Sequence, residues 1–381
     1  MLNKIKLKNF KAQEDAELDL GKFTVFTGLN AAGKTTVLQA LVFLKQSLSR
    51  KEVTYNDYLL KLGDFKEVVH GHDISREFDI DIDIDHEGTG LEYGVTVGQE
   101  RAAERFLVDG TKQWSWDSMA PYAMEPAGRL FLTQAAEGYG GGQYESQDNE
   151  ELRKVIAQQK ALSTWFDNML YLSSSRGFTK YSYPLMAGQP EPEEVAKRAG
   201  DASLLEEWLA NLIMYRINEA QRYPDMRGQL DVMRERLGRL GVDINPYVMS
   251  GPSVVIDLTE KDMWVSAVNS GYGINQAVSF ITLGTLLPKG TLIMVEEPEI
   301  HLHPKIQRVV CEILAEIADE GKQVIITSHS DHFLKTLNKR VKDGKMDKND
   351  VKVFNFVKKD HITTGEEIDV SDSAKVDEMF A

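Results

Sequence analysis

The stretch from Gly28 to Thr35 reads GLNAAGKT, a spacing of glycines, lysine and hydroxyl residue that binds nucleotide phosphates. Gly28 and Gly33 let the chain curl, so that backbone N–H groups point at a β-phosphate near the positive end of the next helix. Lys34 is expected to reach the β- and γ-phosphate oxygens, and the Thr35 hydroxyl to ligate Mg²⁺. The sequence therefore predicts a site for ATP or GTP, the alternative being a glycine-containing turn that matches by chance. The residues expected at the nucleotide are Asn30, Ala31, Ala32, Gly33, Lys34, Thr35 and Thr36.

Two carboxylates, Glu296 and Glu297, follow the apolar run 292–295, which is typical of a buried strand. Ligands of open α/β sheets lie at the carboxyl ends of the strands. Because neighbouring residues on a strand point in opposite directions, the two acids need different roles. We expect Glu296 to hold Mg²⁺ together with Thr35, and Glu297 to orient and activate the attacking water. An exposed acidic turn is the alternative interpretation.

His329 follows a second apolar strand at 324–327. A lone histidine in such a place is more often a hydrogen-bonded core residue, and that alternative stays open. In a chain that also has the phosphate loop and the two carboxylates, His329 fits a residue that contacts the γ-phosphate. We therefore predict that His329 is a catalytic residue beside Glu297.

Small residues in the stretch from Asn269 to Gln276 open an apolar helix at 277–287. Such a start leaves backbone N–H groups at the positive end of the helix, which makes a second anion site. One γ-phosphate does not need two such sites from one subunit, so this one is expected to cap ATP bound by a partner subunit. The expected residues are Ser270, Gly271 and Gly273.

Apolar strands alternate with helices at both ends of the chain, which indicates an α/β fold with a parallel or mixed sheet flanked by helices. The phosphate loop and the two carboxylates therefore belong to one split core, predicted at 1–75 and 251–381. The long excursion between them is predicted to form a β-rich lobe at 76–135 and a helical insertion at 136–250.

The composition excludes several classes of protein. The chain has 381 residues, 42% of them hydrophobic, and no run approaches the roughly 20 apolar residues of a membrane helix. Residues 1–8 alternate charged and apolar side chains, unlike a signal peptide, so we expect a cytoplasmic protein without a membrane partner. Cys311 is the only cysteine, which excludes an internal disulfide.

Two charged stretches suggest other binding functions. Aspartates at 79, 81, 83 and 85 alternate along a strand, which spreads them over one face and favours a solvated face over a cation site. The net charge of −15 argues against sequence-independent DNA binding over the whole surface. The basic segment from Arg216 to Arg239 leaves a local nucleic-acid contact open, the alternative being a helix surface with ion pairs.

The order of phosphate loop, Ser-Gly-x-Gly stretch, Glu-Glu-Pro turn and histidine resembles the ABC-type ATPases. The string EEPEIHLHP from Glu296 to Pro304 is similar to the ATPase domains of the OLD (overcoming lysogenization defect) family and their relatives in the RecF, Rad50 and SMC group. The stretches 58–70 and 171–176 also resemble stand-alone AAA-family ATPases near that family.

The resemblance implies a P-loop fold of the ABC type. It also implies a homodimer or higher homo-oligomer in which ATP lies between the phosphate loop of one subunit and the helix-opening stretch of the other. His303 falls on the loop that crosses this interface, and Gln134 is a candidate for a glutamine that contacts Mg²⁺. A metal site formed by Glu299, His301 and His303 is the less favoured alternative to the interface loop.

The segment after Ser330 is too short for the Toprim nuclease domain of OLD-family nucleases, which needs on the order of a hundred residues, so we expect this chain to lack it. The predicted function is an ATP-hydrolysing dimeric switch that regulates a separate effector, a nuclease or toxin in antiviral defence. The alternative is a RecF-like clamp ATPase that binds DNA in repair or recombination.

Overall fold

A computed structural model describes residues 1–50, 52–119, 150–197, 202–223, 227–260, 263–359 and 362–379. Within these ranges no helix is both long and apolar enough to cross a membrane. The strands are β1 Leu2–Phe10, β2 Gln13–Asp19, β3 Phe23–Gly28, β4 Phe78–His86, β5 Thr89–Val97, β6 Arg101–Val108, β7 Thr111–Met119, β8 Met169–Leu172, β9 Tyr183–Pro184, β10 Ile244–Met249, β11 Ser253–Glu260, β12 Met263–Ser266, β13 Leu292–Glu296, β14 Gln323–Thr327, β15 Val351–Lys359 and β16 Ile362–Ile368. The α-helices are α1 Lys34–Arg50, α2 Phe65–Val68, α3 Glu150–Asp167, α4 Pro192–Lys197, α5 Ala202–Arg222, α6 Arg227–Arg239, α7 Tyr272–Leu286, α8 Pro304–Asp319, α9 Asp331–Lys342 and α10 Ser373–Glu378.

The strands of the described ranges form three sheets. The first is antiparallel and has the order β2-β1-β4-β5-β6-β7. The second has the order β16-β15-β3-β14-β13-β8 and is parallel from β3 to β8. The third has the order β10-β11-β12, with β9 also paired to β11. Parallel and antiparallel strands together with helices confirm the predicted α/β class.

The chain divides into two compact units. The first contains Met1–Gly21, Thr27–Asp167 and Phe354–Glu367, and the second contains Lys22–Phe26, Asn168–Val353 and Ile368–Ala381. The domain boundaries proposed from the sequence stay a prediction.

In the first unit, aromatic rings fix helix α1 against the antiparallel sheet. The ring centroid of Phe43 in α1 lies 6.1 Å from that of Phe10 and 5.7 Å from that of Phe78. Phe65 of α2 stacks on Phe78 at 6.0 Å. Helix α1 begins at Lys34, so this apolar core holds in place the helix that follows the phosphate loop.

The aspartate row lies on one face of β4, as the alternation predicted. Asp79, Asp81 and Asp83 are half-buried and alternate with buried isoleucines. Asp81 forms an ion pair with Arg105 of β6. Burial raises the pKa of Asp81 to about 6, against the opposing effect of Arg105. The face is therefore less solvated than predicted, and in the described part of the chain no group of His, Cys, Asp or Glu is placed to hold a metal ion.

In the second unit, strands β3, β14, β13 and β8 lie side by side and parallel. Thr327 of β14 pairs with Phe26 on one side and with Glu296 on the other, and Val295 pairs with Leu172. All of β14, and β13 up to Val295, is buried, as expected for parallel strands covered on both faces. Polar residues at and just beyond these strand ends therefore lie at one edge of the sheet, where ligands bind in α/β folds.

Candidate active site

The phosphate loop belongs to the first unit and continues from the end of β3. Gly28, Ala31 and Gly33 have positive φ values of 130°, 60° and 91°, a region that glycine enters freely and alanine rarely. A Cβ atom on Gly28 would collide with the main-chain carbonyl of Phe356 in β15. The loop is thus curled as its sequence predicted, and glycine is needed where the loop meets β15.

Lys34 turns back over this loop. Its side chain donates hydrogen bonds to the carbonyl oxygens of Gly28 at 3.0 Å and Leu29 at 2.9 Å, and the residue is only 6% exposed. On the other side, the Nε2 of Gln13 donates to the carbonyl oxygen of Gly33 at 3.4 Å. Gln13 could not be predicted from the phosphate-loop motif, because it lies outside the motif, on β2.

The other predicted nucleotide contacts flank Lys34 along the chain. Asn30 and Ala31 are exposed, Thr35 is half-buried, and Ala32 and Thr36 are buried. Ammonium, hydroxyl and helix-terminal N–H donors are the groups that bind a triphosphate with Mg²⁺. The residues present therefore fit the predicted cofactors, ATP and Mg²⁺.

In the second unit, the two carboxylates stand at the end of β13. Glu296 accepts hydrogen bonds from the Tyr171 hydroxyl at 2.7 Å and from the backbone N–H of Ser174 at 3.4 Å. Burial raises the pKa of Glu296, and both hydrogen bonds oppose that shift. Glu297 has a left-handed φ of 42°, which is unusual for a residue with a side chain. The extended backbone of β13 therefore ends before this residue.

Arg176 fixes the main chain of this acidic turn. Its guanidinium donates to the carbonyl oxygens of Glu296 at 2.5 Å, Glu297 at 3.0 Å and Ser173 at 2.7 Å. The residue is 3% exposed, and its charged group lies 5.2 Å from the ring centroid of Phe280 in α7. Burial lowers the pKa of Arg176 to about 10, although nearby glutamates favour the charged form.

His329 and Glu297 are brought together. The Nε2 of His329 lies 3.6 Å from Glu297 Oε1, and the His329 side chain is 34% exposed. The exposure contradicts the alternative of a buried core histidine. The backbone N–H of His329 donates to Glu299 Oε1 at 2.6 Å. No sequence motif predicts this contact between Glu299 and His329.

Helix α7 begins at Tyr272 and not at 277 as predicted, so Ser270 and Gly271 directly precede it. Ser270 Oγ donates to the Ala267 carbonyl oxygen at 2.8 Å, and the Gly271 N–H donates to a Glu260 carboxylate oxygen at 3.1 Å. Gly273 is buried, and a Cβ atom there would lie 2.6 Å from the carbonyl oxygen of His301. Glycine at 273 thus allows close packing of α7, while nucleotide contact by these three small residues stays a prediction.

The loop after the acidic turn leads into α8. His303 caps that helix, since its Nδ1 accepts from the Lys305 N–H at 3.2 Å with Pro304 in the first turn. His303 is exposed, and His301 has a positive φ of 59°. Glu299 is buried and faces the loop after β14, so Glu299, His301 and His303 do not converge as metal ligands.

Four arginines of the basic segment from Arg216 to Arg239 form ion pairs. Arg236 is buried and binds Glu320 and Thr285, and Arg239 binds Glu316 at 2.7 Å. Arg216 pairs with Glu191 and Arg234 with Asp243. This favours the ion-paired helix surface over a nucleic-acid patch. Gln134 lies outside the described residues.

Comparison with known proteins places the chain in a family. Residues 1–185 and 194–334 match the profile described as AAA ATPase domain, which is most of the chain. The chain belongs to the AAA ATPase domain family. The matched residues of this AAA ATPase domain include the curled loop around Lys34 and the acids at the end of β13.

Relatives of this AAA ATPase domain support the predicted resemblance. It is 24% identical to an OLD nuclease of Thermus scotoductus in an alignment 359 positions long that covers 87% of this chain and 60% of that protein. It is 30% identical to the DNA replication and repair protein RecF of Rhizobium leguminosarum over 141 residues, 36% of this chain and 33% of RecF. The chain spans less than two thirds of either relative. The resemblance to the OLD and RecF group is confirmed.

Solved structures agree on the fold. An Smc head bound to the C-winged helix domain of ScpA has a TM-score of 0.56 at 12% identity, over 98% of this chain and 99% of that chain. An Smc head with a coiled coil and joint from Pyrococcus yayanosii has a TM-score of 0.51 at 11% identity, over 100% and 99%. The ABC-type ATPase fold is therefore confirmed for this AAA ATPase domain.

Proposed function

We propose that this chain binds ATP with Mg²⁺ and hydrolyses it as a dimeric switch that controls a separate effector protein. The observation that carries this proposal is the 3.6 Å separation of Glu297 and His329 at the carboxyl edge of the parallel strands. An acid and a histidine there provide a group that activates water and a group that senses the γ-phosphate.

Each predicted site residue has its own part in the proposed reaction. Lys34 would bind phosphate oxygens and the Thr35 hydroxyl would ligate Mg²⁺, which neutralises negative charge on the phosphates when bound. Glu296 would supply a carboxylate for Mg²⁺, because Mg²⁺ prefers oxygen ligands. Glu297 accepts a proton from the attacking water, and His329 donates a hydrogen bond to the γ-phosphate.

The dimer is proposed from the start of α7. Ser270 and Gly271 are not buried, and they stand at the positive end of a 15-residue helix. We propose that they cap the ATP of a second copy, with His303 in the same interface. The site then forms only when two copies close on the nucleotide, or when a larger homo-oligomer assembles.

The effector is proposed from the relatives. One is an OLD nuclease, and this chain matches 60% of its length. We propose that the ATPase cycle controls a nuclease or toxin of antiviral defence in the cytoplasm, with nucleic acid reached through that effector.

Phosphate release from Mg²⁺ and ATP by the purified full chain tests the reaction. Lys34→Ala should lose nucleotide affinity, whereas Glu297→Gln should keep ATP binding and lose about 10²-fold in turnover, because only the water-activating carboxylate is removed. Glu312→Gln is a matched control, since this acid is 48% exposed on α8. Equal turnover of Glu297→Gln and parent would reassign the base, and no turnover by the parent would reject hydrolysis.

A further inference from the structure

The loop that follows the acidic turn is tied to the histidine loop by one buried side chain. Glu299 is 8% exposed, and its Oε1 accepts from the Ser328 hydroxyl at 2.8 Å and from the His329 N–H at 2.6 Å. Glu299 lies two residues after Glu297, so the two ends of the Glu297–His329 pair are joined through this carboxylate.

A second side chain, Gln307, links the same two loops by hydrogen bonds. Gln307 of α8 accepts from the Ser330 hydroxyl at 2.7 Å and donates to the carbonyl oxygen of Leu302 at 2.9 Å. The Ser330 N–H in turn donates to Ser328 Oγ at 3.1 Å. The position of the His329 main chain is thus fixed by hydrogen bonds from the loop before α8 and from α8 itself.

Burial of a carboxylate is costly unless its hydrogen bonds compensate. Burial raises the pKa of Glu299, while the hydrogen bonds from His329 and Ser328 oppose the shift. An apolar residue would fill the same space at lower cost but would leave the N–H of His329 without this acceptor. An apolar residue at this position therefore could not replace Glu299 as the acceptor for the His329 N–H.

The same loop also contacts the start of α7. The Tyr272 and His301 rings meet edge to face at 5.0 Å, and Gly273 packs against the His301 carbonyl oxygen. The Leu302 N–H donates to the Glu299 carbonyl oxygen at 3.0 Å. The exposed start of α7 is therefore connected to Glu299 by contacts through His301 and Leu302.

We propose that Glu299 is a positioning residue that holds His329 against Glu297 and makes this pair respond to how the start of α7 is seated. The proposal rests on the proposed function for its catalytic readout. It adds a regulatory connection to the same site: contact of a second copy with α7 would alter the Glu297–His329 pair through Glu299.

Two substitutions at this position separate positioning from charge. Glu299→Gln keeps an oxygen acceptor of the same length, so turnover should stay within about threefold of the parent. Glu299→Ala removes the acceptor, so turnover should fall about tenfold or more while ATP affinity changes by less than about threefold. Glu104→Ala is the matched control: Glu104 is also buried but lies on β6 and binds Tyr93, so it should lose stability without losing turnover per folded molecule.

A double-mutant cycle distinguishes positioning from a general structural effect. If Glu299 acts through His329, Glu299→Ala should reduce turnover little in a His329→Ala background. If the fold-losses in turnover of the two single variants multiply in the double variant, the proposal is overturned. Full turnover of Glu299→Ala would also overturn it.

Hydrogen exchange keeps the proposal testable if the parent hydrolyses no ATP. The amide of His329 should exchange faster in Glu299→Ala than in the parent, and Glu299→Gln should restore slow exchange. Parent inactivity with this exchange pattern would reject the proposed hydrolysis and keep the positioning role. Equal exchange in all three proteins would reject the positioning role itself.

Discussion

The Tyr171 hydroxyl donates a hydrogen bond to Glu296 Oε1 at 2.7 Å, from the neighbouring parallel strand β8. This bond lowers the pKa of Glu296, whereas burial of the carboxylate raises it above its usual value. Tyr171 is itself buried, and burial raises its pKa, so it stays a donor over the whole physiological range. Tyr171 therefore helps to keep the proposed Mg²⁺ ligand ionised.

Tyr171→Phe should shift the pH dependence of ATP hydrolysis. Without the donor, the pKa of Glu296 rises further, and because Mg²⁺ needs the carboxylate, the acid limb of the turnover profile should move to higher pH. Turnover measured from pH 5 to pH 9 at saturating Mg²⁺ checks this. Tyr183→Phe removes a comparable bond to Glu206 and is the matched control, expected to leave the limb in place. Coincident profiles for Tyr171→Phe and parent would remove Tyr171 from this role.

Substitution by alanine should affect stability differently at the two glycines at the start of α7. A Cβ atom on Gly273 would lie 2.6 Å from the His301 carbonyl oxygen, whereas one on Gly271 meets no atom within 4 Å. Gly273→Ala should therefore lower the free energy of unfolding by about 1–3 kcal/mol, because backbone must move to relieve the clash. Gly271→Ala should change it by less than about 0.5 kcal/mol. Urea unfolding of both variants is the measurement, and similar losses would show that α7 and the His301 loop are not in this close contact.

The motifs could be predicted because each depends on residues close together in the sequence. The phosphate loop needs its own glycines and lysine, and Glu296 and His329 follow apolar strands that carry a clear signal. Arg176 binds carbonyl groups about 120 residues away, and Glu299 binds a main-chain N–H 30 residues away. Such contacts depend on which strands become neighbours and leave no periodicity in the sequence.

The aspartate face of the first sheet gives a stability prediction with a defined sign. The pKa of Asp81 is raised from 3.8 to about 6 by burial, so the folded state favours the protonated form. Its stabilising contribution is fully present below pH 3.8 and is lost as the pH rises through about 6. Relative to Asp81→Asn, which cannot titrate, the parent should lose about 1.4 kcal/mol between pH 5 and pH 7.5.

Arg105 gives an internal check on that prediction. Its charge lowers the pKa of Asp81, so Arg105→Gln should move the same loss of stability to higher pH. Urea unfolding of the parent and both variants at matched pH values provides the comparison. A stability difference between parent and Asp81→Asn that is constant with pH would mean that Asp81 is ionised across this range in the folded protein.

The last prediction separates a dimeric switch from a monomeric P-loop enzyme. Ser270→Arg leaves the phosphate loop of its own chain unchanged, so ATP binding by one subunit should be near normal. If Ser270 faces the ATP of a second copy, the bulky cation should abolish both ATP-dependent dimerisation and hydrolysis. Sedimentation in the Glu297→Gln background, where ATP is retained, gives the readout.

Mixing two inactive variants tests whether the site is shared. A heterodimer of Ser270→Arg and Lys34→Ala has one site with an intact phosphate loop from the first chain and an intact Ser270 from the second. Equal mixing should therefore restore turnover that neither variant shows alone, up to about half of the parental value, since each mixed dimer has one working site of two. A protein that stays monomeric in saturating ATP, together with a Ser270→Arg variant that still turns over, would show that the start of α7 has only the packing role of Gly273 and that each copy hydrolyses ATP alone.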